Sequence, residues 1–166
     1  MQAERITELI TQYKSNKGRL AYLCVQISDL EDRMQKEVAY RYVDEVLKPA
    51  VIDGMPHGNQ VGRPTENIAV RLADQVPSAS MREMQSEYAE LCSERRKVEQ
   101  SVRTVDAWMQ ALNDKQSWVL RMHMIENVSW RELTSAYHRH YGEWASKDTL
   151  KRIKQKALDK ISEIAG

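Results

Sequence analysis

Two long stretches of this chain carry apolar residues at alternating steps of three and four, and that spacing restricts the fold to packed helices. In the first the series is Ile6, Leu9, Tyr13, Leu20, Leu23, Ile27, Leu30 and Met34. Only Asn16 interrupts it, and Gly18 is a point where the helix can loosen or bend. In the second it is Met84, Tyr88, Leu91, Val98, Val102, Val105, Met109 and Leu112, with Arg95 as the polar interruption. Such stripes are burial surfaces, so their Met and Tyr residues read as core rather than as cofactor ligands. The first helix is expected from about Ala3 to about Leu47. The second is expected to open with Ser80 and Glu83 as a capping box.

Between them lies a connector, about residues 48–79. Pro49 stops the first helix, and Asp53, Gly54, Met55, Pro56, His57, Gly58 and Asn59 are dense in turn formers. Thr65 to Ala73 reads as a short helix, ended by Val76, Pro77 and Ser78. A phosphate cradle at His57 and Gly58 is the alternative to a tight turn that needs glycine, and the turn is preferred. The two long helices either pair with each other, antiparallel, or pair with a second chain as a homodimer.

The last third, residues 113–166, reads as three short helices: Asp114–Ile125, Trp130–Tyr141 and Lys147–Glu163. Asn113 with Gln116, and Ser129 with Glu132, form capping boxes, and Ser146 caps the third helix. Gly142 stops the second. In the third, Leu150, Ile153, Ala157, Ile161 and Ile164 fall on one face. Asp148, Lys151, Arg152, Gln155 and Lys156 fall opposite. A cationic helix held by its apolar back against two others is the form of a helix-turn-helix reader of the DNA major groove. The predicted organisation is therefore all-α, with a coiled-coil-like helical pair in residues 1–112 and a helix-turn-helix domain in residues 113–166.

Charge supports that division. The whole chain has a formal net charge of only +1, but residues 113–166 hold ten Lys/Arg against seven Asp/Glu. Residues 1–112 hold fifteen against seventeen. DNA binding needs a local patch rather than a high total charge. A solvated helix face is the plainer explanation of the same lysines. Near the N-terminus of the third helix, Thr149, Lys151, Arg152 and Gln155 can reach base edges: Arg bridges guanine O6 and N7, and Gln does the same to adenine. Lys147, Lys154 and Lys156 suit phosphates, and Ser146 is a cap first and a phosphate contact second.

Other functions find little in the residues. His138 and His140 diverge by about 200° on a helix and cannot share a metal ion. No P-loop, GxSxG or HExxH occurs, and the carboxylates interleave with Lys and Arg, as in Glu94, Arg95 and Arg96. Neither an enzyme nor a cofactor is expected. Cys24 and Cys92 form no CxxC and read as reduced thiols. With a polar N-terminus and no membrane-length apolar run, the expected location is the cytoplasm.

The run Leu112, Asn113, Asp114, Lys115, Gln116, then Val119 and Leu120, then Val128 to Leu133, Ser146 to Arg152, and Ala157 to Ile161 resembles region four of bacterial sigma factors. That domain reads the upstream promoter element and touches RNA polymerase. Taken whole, the chain resembles the small phage and prophage transcription activators of the RinA/ArpU type, in which a coiled-coil half precedes a region-four-like end. The Ile52 to Gly58 turn followed by Pro64, Thr65 and Glu66 is similar to that group as well. The resemblance implies a sequence-specific regulator, a late-gene activator working on promoter DNA with the host polymerase in a bacterial cell. It departs from region four between Thr134 and Ala145, which is longer here, with Tyr137, Tyr141 and Trp144 expected to brace the longer turn against the first short helix. Two other readings compete: a small terminase-like packaging protein, which commonly places its reader first rather than last, and a helical module that binds polymerase without reading DNA.

Overall fold

The computed structural model describes residues 2–47 and 77–166. These residues form five α-helices and no strand: α1 (Gln2–Leu47), α2 (Ala79–Ala111), α3 (Asp114–Leu120), α4 (Trp130–Tyr141) and α5 (Lys147–Ala165). The all-α class follows from the heptad spacing. The Pro49 stop, the Gly54–Gly58 turn and the Thr65–Ala73 helix lie outside the described residues. Helix α1 runs without a break through Gly18.

The chain divides into two compact units, Met1–Leu23 with Glu94–Gly166, and Cys24–Ser93. Packing thus does not part at Leu112, where the sequence had suggested a boundary. The reason is a shared core. In the first unit Ile6 and Ile10 of α1 and Val105, Trp108, Met109 and Leu112 at the end of α2 pack with Leu120, Met124, Ile125, Ala157 and Ile161. Heptad periodicity announces that a face is buried but not what covers it. Here the short helices cover part of it.

Within this unit α1 and α2 run antiparallel. Tyr13 donates to Asp106 Oδ1 at 2.5 Å, and Arg19 pairs with Glu94. Lys14 reaches Glu126 at 2.6 Å. Arg95, the polar interruption, is half-buried with an Nε that has no hydrogen-bond partner among the described residues. Such an orphan costs about 1–3 kcal/mol and is out of keeping with the apolar series around it.

In the other unit the same two helices are again antiparallel. Tyr88 donates to Glu31 Oε1 at 2.9 Å, and Ser78 to Glu37 Oε1 at 3.3 Å. Leu30, Met81 and Met84 form the core, flanked by Met34, Tyr88 and Leu91. The bond to Glu31 pushes the Tyr88 phenol up to about 12. The cap of α2 is Ser78, whose Oγ accepts from Met81 N at 3.0 Å, and not Ser80, which lies inside the first turn. Of the stripe residues, Ile6, Leu23, Ile27 and Leu30 are at most 4% exposed, and Ile10, which the series left out, is fully buried while Leu9 and Tyr13 are half-buried.

The first short helix also differs from its expected form. α3 passes into a π-turn over Arg121–Ile125, closed by Glu126 N donating to Arg121 O at 3.0 Å. Asn127 then takes a left-handed φ of 55°. Apolar spacing is compatible with either turn width, so the sequence carried no sign of the widening.

Candidate nucleic-acid interface

The three C-terminal helices each begin on a side-chain cap. Asn113 Oδ1 accepts from Gln116 N at 2.8 Å, and Gln116 Oε1 accepts from Asn113 N at 3.3 Å. Ser129 and Glu132 reciprocate in the same way, with the Ser129 hydroxyl donating to Glu132 Oε2 at 2.8 Å. Those bonds hold the Glu132 carboxyl below its usual range. Ser146 Oγ accepts from Thr149 N at 3.2 Å. Each cap satisfies backbone donors that the first turn leaves open and so fixes where its helix begins.

α4 ends on Gly142, at φ 71°, whose N–H reaches His138 O at 2.8 Å. A Cβ at this position would meet no heavy atom within 4 Å, so only the backbone conformation opposes one. Gly142→Ala is expected to cost about 1 kcal/mol, a loss of about 2–4 °C in thermal midpoint by circular dichroism. A midpoint equal to that of the unaltered protein would contradict the left-handed stop.

The longer turn is tied to α3 by named contacts. Trp118 meets Tyr137 and Tyr141 edge-on, both at 5.7 Å, and stacks on His140 at 5.3 Å. Tyr141 donates to Asp114 Oδ2 at 2.6 Å, and burial together with that bond raises its phenol far above the ordinary value. Lys115 pairs with Glu143 at 2.7 Å. Tyr137 and Tyr141 therefore brace the turn as expected. Trp144 does not. It is 77% exposed and stacks on His138 at 3.9 Å, on the α4 side.

α5 presents its apolar face inward. Leu150, Ala157 and Ile161 are fully buried, and Ile153 is half-buried. Leu150 packs with Val119, Leu133 and Tyr137. The stripe stops one residue early, since Ile164 is exposed in the last turn.

The structure separates the eight proposed contact residues by what else they do. Lys147, Lys151, Arg152 and Lys156 are exposed and form no ion pair or hydrogen bond through their side chains among the described residues. Ser146 and Thr149 are engaged with each other, their hydroxyls 3.0 Å apart. Gln155 donates to Asp159 Oδ1 at 2.8 Å. Lys154 is half-buried, with Nζ 5.8 Å from the centre of the Trp130 ring, and desolvation lowers its pKa. It ties α5 to the start of α4. Lys160, a further cation of the same helix, donates to the Ala111 carbonyl at 2.6 Å and closes the end of α2.

One cation was missed. Arg131, in the first turn of α4, is exposed and its side chain has no ion pair among the described residues. In a helix-turn-helix that helix crosses the phosphate backbone. The sequence signal was its place two residues after the capping serine.

Among the described residues no three His, Cys, Asp or Glu side chains gather as a metal site, and no helix is long and apolar enough to cross a membrane. No protein-family model, curated protein or solved structure matches the chain.

Proposed function

We propose that the chain is a sequence-specific DNA-binding transcription regulator, with no catalytic step of its own. The N-terminal half of α5 enters the major groove, Lys151 and Arg152 address base edges, and Lys147, Lys156 and Arg131 address phosphates. The observation that supports this most is the state of Lys151 and Arg152. They stand exposed and uncommitted on the helix whose opposite face, at Leu150, is fully buried. A guanidinium with no internal partner can give both of its parallel donors to guanine. Gln155 would first have to leave Asp159, which makes it the weaker base contact. In keeping with the region-four resemblance, the proposed role is a phage late-gene activator that works beside RNA polymerase in the bacterial cytoplasm.

Selection from a random duplex library by the purified protein tests this. A sharp motif is expected, with log affinity falling against log salt by about 0.9 for each phosphate contacted. Salt-sensitive binding without a motif would instead favour a packaging role. No DNA binding, together with capture of purified RNA polymerase, would favour the protein-interaction module.

A further inference from the structure

We propose that Trp144 is a separate DNA contact, packing its indole against the sugar edge of the strand that passes the start of α5; this rests on the DNA-reading role proposed above. Among the described residues, no large apolar side chain is more exposed than Trp144, at 77%. It lies two residues before Ser146, the N-cap of the cationic helix. Its ring is held rather than loose, stacked on His138 at 3.9 Å and 14°. His138 belongs to the last turn of α4, which ends on the left-handed Gly142.

The neighbours decide which partner this indole suits. Lys147, Lys151 and Arg152 stand at the same end of α5 without internal partners. A phosphate backbone would be drawn there, and the apolar surface exposed between its charges is deoxyribose. In a duplex the bases stay stacked, so the indole meets the sugar edge rather than a base face. An immobilised Trp buries large area at small entropic cost, which is why such side chains dominate interfaces.

The contact is apolar, so it has a signature that lysine contacts lack. Trp144→Ala should weaken binding to the library-selected duplex roughly tenfold while leaving the salt slope unchanged, and Trp144→Phe should fall between. Because the side chain is exposed, the thermal midpoint should stay where it was. Fluorescence titration of the unaltered protein against Trp144→Phe isolates this indole from the other three tryptophans. Full affinity in Trp144→Ala, alongside loss in Lys151→Ala/Arg152→Ala, would overturn the contact and leave the reader intact. Full affinity in both, or no DNA binding by the unaltered protein, would overturn the contact and the reader together. A preference for single-stranded over duplex DNA that Trp144→Ala removes would overturn the sugar-edge geometry.

Discussion

Leu150→Ala is expected to destabilise the C-terminal helices by about 2–5 kcal/mol, lowering the thermal midpoint by about 5–15 °C. Leu150 is fully buried among Val119, Leu133 and Tyr137, with Trp118, Trp130 and Ile153 at the margin. That core draws on α3, α4 and α5 at once. The surrounding aromatic rings, Trp118 edge-on to Tyr137 and Tyr137 tilted on Tyr141, pack against one another and do not readily close on the space a leucine leaves. Ile164→Ala is the control. It removes a similar volume from an exposed position and should cost no more than about 0.5 kcal/mol. Melting both variants by circular dichroism at 222 nm gives the comparison. Equal midpoints would mean that α5 is turned differently about its axis, and the outward placement of Lys151 and Arg152 would go with it.

The Lys151→Ala/Arg152→Ala variant is expected to lose at least about thirtyfold in affinity for the selected duplex, since base-contacting cations are each worth about 1–3 kcal/mol. Preference at the contacted positions should relax as well. Stability should hold, because both side chains are exposed and neither supports another residue. That separation is the useful feature of this pair. Lys154 and Lys160 lie on the same helix but also serve the fold, through Trp130 and the Ala111 carbonyl. Replacing them would mix lost packing with lost binding. Competition by fluorescence anisotropy between selected and scrambled duplexes measures the outcome. A double variant with unaltered specificity would remove α5 as the reader.

Much of the fold was legible because local signals agreed with one another. The caps at Asn113, Ser129 and Ser146 and the stop at Gly142 stand where short-range hydrogen bonding put them. Those rules involve residues at most four apart. What escaped the sequence depended on distant neighbours. Ser78 and Ser80 are equally good caps in isolation, and only the observed helix start chooses Ser78. The heptad stripe of α1 did not disclose that Ile6 and Ile10 pack with Ala157 and Ile161 of α5. At the candidate interface, spacing identified which residues share a face but not how far a flexible amine reaches. Lys151 and Lys160 are both lysines of α5, yet one is exposed without a side-chain partner among the described residues and the other closes a helix end. Trp144 was misplaced for a related reason: spacing put it near the turn but did not show that it stacks on His138 of α4 rather than bracing α3.

One feature of α5 bears on how such a protein could be regulated. Its first half is seated with Leu133 and Tyr137, and its second half with Ile6, Ile10 and Val105. The two seats share one continuous rod of backbone, pinned again where Lys160 grips the Ala111 carbonyl. No break in α5 separates its N-terminal half from the half that packs on the opening turns of α1. A molecule that grasped the first turns of α1 would therefore be pulling on the same beam that carries Lys151 and Arg152.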